Sequence, residues 1–176
     1  MKVRVATTAD AQQIAELHVE SWRSAYRGMF SDAYLDSDEF RQERSVLWSK
    51  RLGHPEPNQL VLIAEIDDQL VGFACAFGSA DQHLGTLLDN LHVRHEYQGR
   101  GIGAELMSEV AKWCSAELSG EGIFLWVLEP NMQARRFYER RGGIRVDGDL
   151  WSSPDGGSIA CIRFAWKNVH DLILNG

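Results

Sequence analysis

Residues 86–104 run from an apolar strand through a short polar connection into Gln98-Gly99-Arg100-Gly101-Ile102-Gly103-Ala104, which opens a long amphipathic helix. Three glycines within five positions let the backbone turn with no Cβ in the way, so successive N–H groups can converge on one anion. The helix that follows brings the positive end of its dipole to the same spot, an arrangement that holds phosphate. A pyrophosphate-bearing ligand is its natural guest. Glycines that merely punctuate a strand-to-helix turn would give the same spacing, so the surrounding elements decide.

Hydrophobic periodicity places those elements. Residues 2–6 alternate as a short strand, and Thr7 or Thr8 with Asp10 and Gln12 starts a helix. Its stripe of Ile14, Leu17, His18, Ser21, Trp22 and Ala25 runs to Tyr26, and Gly28 stops it. A second helical region is predicted from Ser31 or Asp32 through Leu52. Pro55 and Pro57 then mark a loop before a β-branched strand at 60–66, a tight turn at Asp67-Asp68 and an antiparallel partner at 69–78. A third strand covers 86–93, and the helix after the glycines spans 103–118 with Leu106, Val110, Trp113, Cys114 and Leu118 on one face. Residues 122–128 read as a buried strand, and a helix from Pro130-Asn131 to Arg141 ends at Gly142-Gly143. Two late strands, 144–147 and 158–166, flank a turn-rich stretch at 149–157. The order β-α-α-β-β-β-α-β-α-β-β predicts an α/β fold: a mixed, mostly antiparallel central sheet with helices on both faces.

With 176 residues and 44% hydrophobic content, one domain over 1–176 is expected. The N-terminus lacks the apolar stretch of a signal peptide, and no run approaches the roughly 20 apolar residues of a membrane span. A cytoplasmic protein without membrane contact is expected. Cys75, Cys114 and Cys161 are odd in number and form no CxxC pair, so neither a disulfide framework nor a metal site is suggested. A net charge of −7 argues against a nucleic-acid partner. From Arg94 to Arg145 eight Lys/Arg face seven Asp/Glu, a balance of +1 that leaves −8 elsewhere. An anionic ligand suits the balanced segment, and the acidic remainder favours a cationic partner.

Three nucleotide-binding families compete for such a loop. A P-loop needs Gly-Lys-Ser/Thr after its glycines, and Gly103-Ala104-Glu105 supplies none of that. Gly99, Gly101 and Ala104 fit the dinucleotide pattern GxGxxG/A, but the polar Arg94-His95-Glu96-Tyr97-Gln98 separates them from the strand end where that pattern belongs. The third option accounts for the spacing. Gln98-x-x-Gly101-x-Gly103 after an apolar strand resembles the acyl-coenzyme A signature of the GNAT superfamily of N-acetyltransferases. Asn131-x-x-Ala134-x-x-Phe137-Tyr138-x-x-x-Gly142 is similar to that family's following motif, and the element order matches over nearly the whole chain.

The resemblance implies that the strand before the loop and the strand after its helix splay apart, with the cofactor's pantetheine arm between Leu91, His92 and Val93 on one side and residues 125–127 on the other. It implies that amides from Gln98 through Gly99, Arg100, Gly101, Ile102, Gly103 and Ala104 take the pyrophosphate of acetyl-coenzyme A. The arginines Arg94, Arg100 and Arg135 are candidate helpers. Asn131, Ala134 and Tyr138 lie at i, i+3 and i+7, one helical stripe, and the resemblance makes Tyr138 the general acid. The acetyl group then passes to a primary amine by direct attack through a tetrahedral intermediate, with a backbone N–H near Leu91 or His92 as oxyanion donor.

The family's early strand glutamate falls at Leu87 here, a departure that moves the expected base to Asp89, on the same strand face as Leu91 and Val93. Glu20 and Glu129 are more distant alternatives. The acceptor pocket is expected among Trp22, Tyr26, Trp126, Trp151 and Trp166. A small-molecule amine is the expected substrate; a protein N-terminus or lysine, and a noncatalytic acyl-coenzyme A binding module, are the alternatives. The tail Leu172-Ile173-Leu174 offers either core or interface, which leaves a homodimer open.

Overall fold

In the computed structural model, which describes residues 1–174, the alternating N-terminus forms strand β1 (Lys2–Val5). The last two positions of the expected 1–176 domain lie outside the described residues, as does the side chain of Leu174. Asp10 accepts from the Thr7 backbone N–H at 2.7 Å and from both terminal nitrogens of Arg4, and this box starts helix α1 (Ala11–Tyr26). The expected second helical region is broken into α2 (Asp32–Leu35) and α3 (Asp38–Gly53). Ser37 is the cause: it leaves the helical region, and its hydroxyl caps the Phe40 N–H at 3.0 Å.

A hairpin of β2 (Gln59–Ile66) and β3 (Gln69–Asp81) turns at Asp67 and Asp68, both with positive φ, the left-handed pair that a two-residue hairpin needs. There follow β4 (Gly85–Val93), α4 (Ile102–Glu117), β5 (Ile123–Leu128) and α5 (Met132–Arg140). The chain closes with β6 (Ile144–Ser152), β7 (Ser158–Trp166) and α6 (His170–Leu174). β6 continues past the expected end at Asp147 because residues with turn-like composition, Gly148 and Asp149, are held by pairing with Ile162 and Cys161 of β7.

The seven strands form one sheet in the order β1-β2-β3-β4-β5-β7-β6, antiparallel throughout except for β4 beside β5. One face packs α4, α5 and α6 around Leu106, Val110, Leu125 and Phe164. Leu172 is fully buried and Ile173 packs on the same cluster, so these two tail residues belong to the core. The other face packs α1 and α3 through Ile14, Leu17, Trp48, Ile63 and Phe73.

Two irregularities shape the middle of the sheet. β4 and β5 pair only at Thr86↔Ile123 and Leu87↔Phe124, and beyond Leu87 their facing edges part. The β3–β4 register also shifts between Cys75↔Asn90 and Ala76↔Leu88, which leaves Asp89 as an unpaired bulge residue. The bulge changes the side-chain alternation. Leu88 joins Leu91 and Val93 against α4, while Asp89 and Asn90 both reach Arg51 of α3. Asp89 is therefore on the opposite face from Leu91 and Val93, a correction that period-two counting along an unbroken strand could not supply.

Candidate functional site

After β4 a single 3-10 turn, His95–Tyr97, leads to Gly99 and Gly101, whose φ values are 77° and 82°. Gly101 is the N-cap of α4, and a Cβ built there meets nothing within 4 Å. The left-handed backbone, rather than crowding, is what calls for glycine. Among the described residues no acceptor takes the N–H groups of Gly99, Arg100 or Gly101. Ile102, Gly103 and Ala104 follow as the first helical positions, whose N–H groups have no partner within the helix. Six consecutive amides thus stand ready for an anion. Gln98 donates to the Val93 carbonyl at 3.1 Å and accepts from Gln133 at 2.9 Å, tying the loop to α5.

The expected arginine helpers are turned elsewhere. Arg94 pairs with Glu20 and donates to the Leu70 carbonyl, and Arg100 donates to the Glu96 carbonyl while lying over the Tyr97 ring. Arg135 donates to the Glu129 carbonyl at 2.9 Å. Arg140 and Arg141 line the cavity beside the loop instead. Arg141 follows Ala134 and Tyr138 at i, i+4 and i+7, a helical spacing that could have flagged it from the sequence.

A cavity of about 610 Å³ opens where β4 and β5 part. Leu91, His92 and Val93 form one wall and Leu125, Trp126 and Val127 the other, with the glycine loop at one end. Asn131, Ala134 and Tyr138 contribute the stripe expected of α5, and Tyr26 joins them from α1. The Asn131 oxygen is engaged as N-cap, accepting from the Ala134 N–H at 3.1 Å. Its side chain also faces the Tyr26 phenol, whose pKa is raised by burial with Asn131 opposing the rise. Tyr138 is 9% exposed, and no hydrogen bond takes its hydroxyl among the described residues. Burial, with a smaller contribution from the nearby Tyr26, holds the Tyr138 phenol well above its ordinary value, so it carries its proton at neutral pH.

A second cavity, of about 470 Å³, shares Tyr26, Asp89, His92, Trp126 and Val127 with the first. Trp22 of α1 and Trp151 of β6 add two indoles whose centroids are 6.5 Å apart. Trp166, expected here, is instead a core residue at 3% exposure that donates to the Arg141 carbonyl at 2.8 Å. On the shared wall, Asp89 is paired with Arg51 at 2.7 Å. His92 Nδ1 lies 3.0 Å from the Ser21 hydroxyl, and its ring is 4.8 Å from that of His18. His18 Nδ1 accepts from the Trp48 indole, which can only donate, so the His18 proton sits on Nε2. Burial, helped by Arg44, lowers the His92 pKa to about 4, and the imidazole is neutral at physiological pH. The sequence gives the His92 side chain no partner; its place beside Ser21 depends on the packing of α1 against β4.

Among the described residues no group of three or more His, Cys, Asp or Glu side chains could hold a metal ion, and no helix is long and apolar enough to cross a membrane.

The model of the acetyltransferase (GNAT) family matches residues 12–143. An uncharacterised N-acetyltransferase of Archaeoglobus fulgidus is 31% identical over 162 residues, covering 90% of this chain and 98% of its own. A probable N-acetyltransferase of Mycobacterium tuberculosis is 29% identical over 170 residues, covering 93% of this chain and 92% of its own. In fold, the chain is similar to the PaiA N-acetyltransferase of Thermoplasma acidophilum, solved in complex with coenzyme A, with a TM-score of 0.72, 22% identity and coverage of 94% of this chain and 98% of that one. The parted strands, the glycine loop and the α5 stripe agree with a family match over most of the sequence: the chain belongs to the GNAT acetyltransferase family and is an acyltransferase.

Proposed function

We propose that the protein moves the acetyl group of acetyl-coenzyme A to the primary amine of a small molecule. One observation carries the reading: the first cavity runs from a loop of unpaired amides, between two strand edges with free peptide groups, to a buried protonated phenol, and there it meets a second cavity. Acetyl-coenzyme A is the donor. The residues fit it. The amides of residues 99–104 match a pyrophosphate, and the edges of β4 and β5 offer N–H and C=O groups to the two amides of a pantetheine arm.

The chemistry asks for an unprotonated amine, an oxyanion donor and a proton for the leaving thiolate. The C–N bond forms first, giving a tetrahedral intermediate with its charge on oxygen, and the C–S bond breaks as that intermediate collapses. A backbone N–H of β4 near Leu91 or His92, left without a β5 partner, is the oxyanion donor. Tyr138 returns a proton to the sulfur. Asp89 and His92 are, besides the Tyr26 phenol, the titratable groups on the shared wall toward which the amine's proton leaves. The Asp89 carboxylate is already engaged with Arg51, and the His92 imidazole is neutral, although the burial that keeps it so also makes it a weak base.

The second reading is a noncatalytic acyl-coenzyme A binding module, favoured by Leu87 at the strand position where the family resemblance implies a glutamate. Thiol release from acetyl-coenzyme A with a panel of amines separates the two. Turnover supports the enzyme; cofactor binding by calorimetry without turnover on any amine supports the module. The three free thiols suit a reducing, cytoplasmic setting. A homodimer, where it forms, would use the edge strand β6, whose Ile144 and Leu150 are 63% and 70% exposed.

A further inference from the structure

The two cavities differ in electrostatic character. The first carries the free amides of the glycine loop together with Arg140 and Arg141, whereas no lysine or arginine lines the second. Of the second cavity's two carboxylates, Asp89 is neutralised by Arg51 at 2.7 Å. Asp149 is not. No cation pairs with it among the described residues, and its side chain accepts only from the Leu150 N–H, at 2.7 Å. The nearby Arg163 is turned to Asp147 and Asp81. Asp149 lines the second cavity but not the first, so it stands away from the wall where the two meet. The remaining surface is largely aromatic, built from Trp22, Trp126 and Trp151, and the Trp126 indole is 41% exposed.

An amine acetylated at the shared wall must give up its positive charge there, so a carboxylate at the far end does nothing for the reacting nitrogen. It complements a second charge. We propose that the acceptor is a diamine: a primary amine joined by an apolar chain to a second, protonated nitrogen, with the indoles packing the chain and Asp149 holding the distal cation. Arg44 and Arg163 already lie over the Trp22 and Trp126 rings, at 5.1 and 5.0 Å, so the indoles serve the methylenes by burial and recognition of the distal cation falls to Asp149. The inference rests on the acetyl-transfer reading above. In the reaction the near nitrogen, already neutral, gains the acetyl carbon and loses one proton to the shared wall, Tyr138 gives one to the sulfur released from that carbon, and the distal ammonium is unchanged.

The test measures thiol release from acetyl-coenzyme A with diaminopentane, pentylamine and aminohexanoate, which differ only at the far end. Asp149 is exposed, so its pairing with the distal ammonium is screened by solvent and should give the diamine a kcat/KM about two- to fivefold above pentylamine, with aminohexanoate poorest. Asp149→Asn keeps the oxygen that accepts from Leu150 and should bring the diamine-to-pentylamine ratio down to about one, through KM; coenzyme A affinity reports that the variant is folded. Equal use of diamine and pentylamine, or a ratio untouched by Asp149→Asn, overturns the proposal. Failure of all three acceptors with coenzyme A still bound overturns the diamine and leaves acetyl transfer standing. Loss of coenzyme A binding in the unmodified protein would overturn both.

Discussion

Substituting Gly101 separates backbone strain from ligand recognition. At a φ of 82° with open space around a built Cβ, any side chain here costs conformational energy without a clash. That cost is about 1–2 kcal/mol for an L-residue in the left-handed region. At roughly 2–4 °C per kcal/mol for a chain of this size, Gly101→Ala should lower Tm by about 2–8 °C. Gly101→Asp carries the same strain, but its carboxylate sits at the positive end of α4 and recovers about 0.3–1 kcal/mol, so it should be no less stable than the alanine variant. Binding should rank the other way. A carboxylate about 4 Å from one phosphate charge costs about 4 kcal/mol at the effective dielectric of a partly exposed site, close to a thousandfold in affinity. Calorimetric titration with coenzyme A, beside thermal melts of both variants, measures the two effects separately. If Gly101→Asp binds coenzyme A as tightly as Gly101→Ala, the loop does not hold the pyrophosphate and the reading of the cavity fails.

Tyr138→Phe removes a hydroxyl with no hydrogen-bond partner among the described residues; kcat should fall by about a hundredfold or more while coenzyme A affinity stays, and an unchanged kcat would take proton delivery away from the phenol. His92 supplies a pH signature. Its pKa is about 4 in the fold against 6.5 unperturbed, so between those values the unfolded chain binds the extra proton and stability falls as pH is lowered through that window, by at most about 3 kcal/mol. His18, also held neutral by burial, contributes in the same direction. In urea titrations at pH 7 and pH 5, His92→Gln should lose less stability across the interval than the unmodified protein; an equal loss would show that the imidazole is already solvated in the fold.

What was legible in the sequence was what a short stretch of chain requires of its own backbone. The glycines at 99 and 101 announce positive φ, Asn131 beside Pro130 announces an N-cap, and Ala134 with Tyr138 announces one helical stripe; each is found in place. The misreadings concern properties that belong to two elements at once. Asp89 was placed on the wrong face because a bulge is a mismatch between strands and leaves no mark in the alternation of either one. Arg100 and Arg135 stand near the loop as the sequence expects, and their guanidinium groups donate to carbonyls four and six residues away, a local engagement that charge counting does not see. Trp166 is a large aromatic residue on a late strand in the same way as Trp151 is; only the sheet order, which puts β7 inside and β6 at the edge, sends one to the core and the other to the cavity.

The bulge and the gap act together. An extra residue in β4 bends that strand and strengthens its twist, and β4 and β5 cease to pair within two residues of Asp89. Two strand edges then face each other with unsatisfied N–H and C=O groups, which a folded protein tolerates only where water or a ligand completes them. The same bulge residue turns its carboxylate to Arg51 and so clears the α4-facing side of β4 of charge beside Leu88, Leu91 and Val93. The result is a graded path through the sheet: amides and arginines at the loop, peptide edges along the gap where the lining carboxylate, Asp89, is paired with Arg51, then indoles and Asp149 beyond it. On the proposed reading, an anionic donor with a neutral arm and an acceptor with a distal cation would occupy that path in only one order, meeting at Tyr26, His92 and Trp126.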